Sequence, residues 1–184
     1  MQSSGMGQAE KYDVGILGLW SGCNYGSVIT YYALQQTIAA MGKTVLMVDK
    51  PILSEKDVER DATHARRFGQ EHYRISPQYR LGGMGALNGL CDAFVIGSDQ
   101  VWNYGISRNF GKMFYFDFAG EEKKKIAYGV SFGHGTDFAP PEERKRIAAY
   151  MRRMDGIAVR EADGVRLCRD AYGIRAVQAL DPSR

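Results

Sequence analysis

Short apolar runs alternate with helical patterns along nearly the whole chain. Residues 13–19 form an apolar run that predicts a buried strand. From Ser27 onward, apolar positions spaced three and four residues apart predict a helix that ends at Gly42. Residues 44–49 predict a second strand. Strand, helix and strand in this order form a βαβ unit, for which a right-handed crossover is expected.

Four further apolar runs predict strands, at residues 92–97, 125–130, 156–159 and 175–180. Strands that alternate with helices at this spacing indicate a parallel sheet covered on both faces. The predicted fold is therefore α/β: a Rossmann-like, doubly wound, mainly parallel sheet of about six strands with helices on both faces.

Three further helices are predicted after the second strand. One spans about residues 54–71, a second begins at Pro141, and a third spans 162–172 and stops at Gly173. Residues 74–85 are rich in turn-forming types and predict a mobile excursion.

The composition fits one soluble domain. The chain has 184 residues, of which 45% are hydrophobic and 24% charged, so a core of ordinary size is available. Residues 1–11 are polar and small and predict a disordered leader, and residues 12–182 form the domain. No stretch approaches the roughly 20 apolar residues that a membrane span needs.

Charge and cysteine content exclude several classes of function. The net charge of +3 comes from interspersed acids and bases, which argues against a nucleic-acid partner. Cys23, Cys91 and Cys168 show no CxxC spacing, which predicts reduced thiols in a cytoplasmic protein rather than a disulfide framework or a metal site. The glycines at 18, 22 and 26 lack the dinucleotide spacing, so no cofactor is expected.

The carboxyl ends of the predicted strands carry the candidate chemistry, because ligands of open parallel sheets bind there. Asn24, Tyr25 and Gly26 follow the first strand and lead into a helix N-terminus, whose amides suit an anionic or hydroxyl-rich ligand. A tight turn that needs glycine and asparagine for backbone reasons is the alternative.

A second polar strand end follows residues 92–97. Ser98, Asp99 and Gln100 supply donors and acceptors there, and Trp102 offers an apolar face on which a sugar ring can stack. In the alternative interpretation, Asp99 caps a helix and Trp102 lies in the core.

The third polar strand end contains Ser131 and His134. A histidine between glycines at a strand end suits proton transfer near neutral pH. A purely structural loop histidine is the alternative.

Five segments carry a resemblance to a known family. They are 22–35 (GCNYGS…YALQ), 94–103 (FVIGSDQVWN), 125–133 (KIAYGVSFG), 159–161 (VRE) and 180–182 (LDP). In this order they resemble the landmarks of the polysaccharide pyruvyl transferase family, and the resemblance covers about residues 12–182.

The resemblance implies an enzyme with two Rossmann-like halves, similar to GT-B glycosyltransferases, that moves pyruvate from phosphoenolpyruvate to sugar hydroxyls in exopolysaccharide biosynthesis. Phosphoenolpyruvate would be a co-substrate. The chain resembles the N-terminal half, so a second, donor-binding domain is expected to be missing and the chain is expected to be inactive alone. Whether it is an enzyme by itself therefore stays open.

The resemblance also implies roles for individual residues. Asn24, Asp99, Gln100 and Trp102 would contact the sugar acceptor, and Arg160 is a basic residue within a family landmark. Asp99 or His134 would act as the general base, with Asp99 preferred.

Two other functions stay open at this point. One is a non-catalytic carbohydrate-binding or partner-docking domain, and the other is half of a GT-B-like glycosyltransferase that uses a nucleotide sugar. Apolar surface left beside the strand ends by a missing domain could also support a homo-oligomer.

Overall fold

A computed structural model describes residues 10–22, 24–54, 63–97 and 99–183, so the predicted leader lies outside the described residues as far as residue 9. Within these ranges six strands form one all-parallel sheet. The strands are Tyr12–Leu17 (β1), Val45–Met47 (β2), Cys91–Ile96 (β3), Lys124–Val130 (β4), Gly156–Val159 (β5) and Val177–Gln178 (β6). Their order β2-β1-β3-β4-β5-β6 confirms the predicted α/β fold with a parallel sheet.

Helices connect the strands. In the described part of the chain the α-helices are Tyr25–Ala40 (α1), His64–His72 (α2), Tyr104–Ser107 (α3), Pro141–Met151 (α4) and Ala162–Tyr172 (α5). Leu81–Gly89, Arg108–Phe110 and Met113–Tyr115 form 3₁₀ helices. Over the described residues, no helix combines the length and the apolar character that crossing a membrane requires.

The path of the chain reverses at the centre of the sheet, between β1 and β3. From β1 the chain passes to β2 on one side, whereas from β3 it steps to β6 on the other. Right-handed crossovers therefore place α1 on one face and α4 and α5 on the opposite face. Tyr31 of α1 accordingly shares a buried cluster with Ile16, and Ile147 of α4 shares another with Phe94. Helices on both faces confirm the doubly wound arrangement.

The ends of two helices show how local sequence sets their bounds. Helix α5 has the predicted bounds, and Gly173 follows it at a φ of 63°, which glycine adopts without strain. Helix α1 begins at Tyr25 rather than at Ser27, because Asn24 caps it: Asn24 Oδ1 accepts a hydrogen bond of 2.9 Å from the backbone N–H of Gly26.

The region between β2 and β3 differs from the expectation. Helix α2 occupies the last part of the predicted helix 54–71, of which residues 55–62 lie outside the described residues. Residues 74–85 were predicted to be a mobile excursion. Their last residues begin the 3₁₀ helix Leu81–Gly89. Their first residues pair with the sheet edge: the backbone N–H of Met47 donates to the carbonyl of Arg74 at 2.7 Å, and Ser76 N–H donates to the carbonyl of Met47 at 2.9 Å. Backbone pairing of this kind leaves no side-chain periodicity in the sequence.

Candidate functional site

A cavity of about 670 Å³ opens at the carboxyl ends of the strands, where the chain reverses direction between β1 and β3. This is where ligands bind in open α/β sheets. Five predicted site residues line it, namely Asn24, Gly26, Asp99, Gln100 and Arg160. The structure therefore brings together residues from the ends of β1, β3 and β5. Ser98, also predicted, lies outside the described residues, as does Cys23.

Asp99 is held facing α1 by two hydrogen bonds. Ser27 Oγ donates to Asp99 Oδ2 at 3.0 Å, and the backbone N–H of Gln100 donates to Asp99 Oδ1 at 2.7 Å. A carboxylate has about four lone-pair sites, so each oxygen can still accept a hydrogen bond from a hydroxyl group of a ligand. The backbone of Asp99 is fixed as well, because its carbonyl accepts from Ser131 N–H at 2.9 Å.

Tyr31 lies near enough to this carboxylate to feel its charge, and it is fully buried. Burial, and after it the negative charge of Asp99, raises the pKa of Tyr31 well above its ordinary value. The shift keeps the Tyr31 hydroxyl, which is neutral at pH 7 even at its ordinary pKa, a neutral neighbour of Asp99.

Trp102 does not reach the cavity. Its side chain is 1% exposed, its Nε1 donates to the Phe114 carbonyl at 3.0 Å, and its ring stacks on Tyr115 with 5.6 Å between ring centroids. The expected stacking of a sugar on Trp102 is therefore corrected in favour of the core position. The reason is local: Trp102 N–H donates to the Ser131 carbonyl at 3.2 Å, which ties this turn to the end of β4.

Apolar surface at the cavity comes from other side chains. Ile29 of α1 and Leu180, just after β6, line it with 61% and 69% of their surface exposed. These two side chains supply apolar surface of the kind that was expected from Trp102. Tyr25, although exposed, lines a separate small hollow beside Thr63 and His64.

His134 and Ser131 lie outside the residues that line the cavity. Asn103 Oδ1 accepts from Gly105 N–H at 2.9 Å, which orients the Asn103 amide so that its Nδ2 donates to His134 Nε2 at 3.3 Å. His134 Nε2 is thus already engaged as an acceptor. Ser131 is fully buried and its Oγ accepts from Gly133 N–H at 2.9 Å. Of the two candidate bases, only Asp99 faces the cavity.

Arg160 lies in the opposite wall, between two carboxylates. Its Nε is 2.8 Å from Glu161 Oε1, and its Nη1 is 3.4 Å from Asp181 Oδ2. Burial alone lowers the pKa of Arg160, but hydrogen bonds and charge from Glu161 and Asp181 outweigh burial and raise the pKa above its ordinary value. The guanidinium therefore stays charged and paired.

Several lining residues were not selected from the sequence. They are Ser27, Thr30, Glu161, Gln178, Asp181 and Ser183. A signal for the first two was present: they are polar residues on the buried face of α1, with 6% and 7% exposure. Buried polar groups need partners, and here the partners are Asp99 and Asp181.

The cavity is acidic and rich in hydrogen-bonding groups. Its described lining residues include three carboxylates, those of Asp99, Glu161 and Asp181, and one guanidinium, that of Arg160. Among the residues that the structure describes, no group of three or more histidine, cysteine or acidic side chains could hold a metal ion. The arrangement suits a ligand that donates several hydroxyl hydrogen bonds.

Comparison with known proteins identifies one relationship. The model of the family "Polysaccharide pyruvyl transferase" matches residues 24–183, which include Asn24, Asp99, Arg160 and Asp181. No curated protein matches the chain. No solved structure matches it either.

Proposed function

Because the chain belongs to the polysaccharide pyruvyl transferase family, we propose that it binds the sugar acceptor in the transfer of pyruvate from phosphoenolpyruvate to a surface polysaccharide or exopolysaccharide. In this reaction two sugar hydroxyls add to C2 of the enolpyruvyl group and phosphate leaves. One hydroxyl proton goes to C3 and the other leaves with the phosphate, so the product is a pyruvate ketal.

The balance of charges in the cavity is the observation that carries the proposal. Phosphoenolpyruvate bears a phosphate and a carboxylate, and its binding needs several cations in one place. The described lining instead has three carboxylates around a single arginine that is already paired. Such a site repels the donor and attracts the hydroxyls of the acceptor.

Asp99 is the proposed general base. Its two oxygens are oriented by Ser27 and by the backbone of Gln100, which leaves the carboxylate pointing at the cavity with lone pairs free for a substrate hydroxyl. A positioned carboxylate that accepts the hydroxyl proton as the oxygen attacks contributes about 10²- to 10⁴-fold to a rate. Asn24 and Gln100 supply amide groups for neighbouring hydroxyls.

The cytoplasm is the proposed location, because phosphoenolpyruvate is a cytoplasmic metabolite. Two thiols fit a reducing compartment: Cys91 and Cys168 are free and buried. Burial raises the pKa of each to about 12, so neither thiol is reactive at neutral pH.

Titration of the chain with a methyl hexoside, followed by NMR, tests the acceptor site. We expect shifts at the backbone amides of Gly26, Ser27, Gln100 and Ser183, because these residues line the cavity. Asp99→Asn should weaken binding by about ten-fold, since a charge-assisted hydrogen bond is lost.

Asp92→Asn is the matched control. Asp92 lies at the start of β3, whereas Asp99 follows the end of this strand, and the Asp92 side chain is 73% exposed. This variant should bind the hexoside as the unmodified chain does. Shifts that map outside the cavity, or equal affinities for Asp99→Asn and Asp92→Asn, would show that the acceptor site lies elsewhere.

A further inference from the structure

The ion pair between Arg160 and Asp181 lies where the chain leaves β6. Asp181 has a side chain that is only 11% exposed, and it is fixed on both sides: Thr30 Oγ1 donates to its Oδ1 at 3.2 Å, and Ser183 N–H donates to the same oxygen at 2.9 Å. A carboxylate anchored to α1 and to its own turn cannot swing away from Arg160. Its negative charge is therefore a permanent part of the cavity wall.

An anionic ligand would bind at Arg160, since among the described lining residues it alone carries a positive charge. Glu161 and Asp181 already occupy its Nε and Nη1. An incoming carboxylate or phosphate finds donors left on Nη2, but in binding there it would also approach the carboxylates of Glu161, Asp181 and Asp99. A neutral sugar meets no such penalty, because its hydroxyls can donate to all three carboxylates.

We propose that Asp181 is a specificity-determining residue, which holds Arg160 in an ion pair and so makes the acceptor site select uncharged sugars over uronic acids and phosphorylated sugars. Specificity here comes from a repulsive element as well as from attractive contacts. The inference rests on the proposed acceptor function, because it concerns the same cavity.

The test compares the affinities of the chain for methyl glucoside and for methyl glucuronoside, both measured by NMR titration. The two ligands differ by one carboxylate. The unmodified chain should prefer the glucoside. In Asp181→Asn, the amide oxygen can still accept from Thr30 and Ser183, but one negative charge is gone. The ratio of glucuronoside to glucoside affinity should then rise on the order of ten-fold, because one like charge no longer faces the carboxylate of the glucuronoside.

Thr30→Val is the control for a merely structural role. It removes the hydrogen bond from Thr30 to Asp181 without changing any charge. Loosening of the turn should alter both affinities together and leave their ratio within about two-fold. Added salt should reduce the preference of the unmodified chain for the glucoside, because screening weakens charge repulsion.

Three results would be decisive against the inference. The proposed role of Asp181 would be wrong if the affinity ratio did not change in Asp181→Asn, or if it changed equally in Thr30→Val. In either case, binding of the glucoside would still support the acceptor site. Failure of both ligands to bind would overturn the acceptor site and, with it, the selection by charge.

Discussion

At the scale of single residues, two glycines at strand ends make room for the ring of Tyr31. Gly18 and Gly97 follow β1 and β3, and the ring of Tyr31 packs against both backbones. A β-carbon on Gly18 would overlap the Tyr31 hydroxyl, and one on Gly97 would lie 2.6 Å from Tyr31 Cε1. These positions need glycine because another side chain approaches the backbone closely.

Gly97→Ala should therefore lower the free energy of unfolding by about 1–3 kcal/mol, the usual result of overpacking a core. Gly156→Ala provides the matched comparison: Gly156 begins β5, and nothing lies within 4 Å of the position of its β-carbon. This second variant should be neutral or slightly more stable. Urea denaturation measures both, and equal stabilities would refute the close packing of Tyr31.

The position of a residue at the end of a strand was a better predictor of the site than the chemical type of its side chain. Asn24, Asp99 and Gln100 line the cavity because they follow β1 and β3. The aromatic ring of Trp102 suggested sugar stacking, yet its orientation depends on hydrogen bonds to Ser131 and Phe114, which are distant in the sequence. The local pattern of apolar and polar residues does not predict such long-range contacts.

At the scale of elements, Asp155 joins the connection after α4 to the start of β4. Its Oδ1 pairs with Lys124 Nζ at 2.8 Å, and its Oδ2 accepts from Lys125 N–H at 2.9 Å. The hydrogen bond from Lys124 and then that from the Lys125 backbone lower the pKa of Asp155 below its ordinary value. A carboxyl with a lowered pKa in the folded state stabilises that state when ionised.

This stabilisation is fully present above about pH 4, the ordinary pKa of an aspartate, and is lost as the pH falls through the lower pKa of the folded state. Asp155→Asn should thus be less stable than the unmodified chain at pH 7, with a difference that shrinks toward pH 3. Denaturant unfolding at both pH values measures the difference. The same difference at pH 3 and pH 7 would argue against an ionic contribution.

Helices and strands were predictable from the sequence where the local order of side chains defines their ends. Helix α5 and strand β5 have the predicted bounds, because apolar spacing and Gly173 are local signals. The pairing of residues 74–76 was not predictable, since it depends on backbone hydrogen bonds to the edge of the sheet at Met47. The 3₁₀ helix Leu81–Gly89 is glycine-rich, and its apolar residues Leu81, Met84 and Leu87 recur every three residues, which is the period of a 3₁₀ helix and not that of an α-helix.

At the scale of the whole molecule, strand order decides which chemistry is brought together. The α/β class follows from alternation along the chain, whereas the order β2-β1-β3-β4-β5-β6 depends on long-range pairing. That order places the polar residues after β1 and β3 beside each other and leaves Arg160 and Asp181 to form the facing wall. Residues from distant parts of the sequence thus form one acidic cavity, and this supports the proposal of an acceptor site in this pyruvyl transferase family domain.

The most direct test of this account is a crystal structure of the chain with a bound methyl hexoside. We expect the sugar in the cavity between Asp99 and Arg160, with one hydroxyl oxygen within about 3 Å of an Asp99 carboxylate oxygen. A sugar bound elsewhere, or one that lies in the cavity without a hydrogen bond to Asp99, would contradict the assignment of Asp99 as the base that receives the acceptor proton.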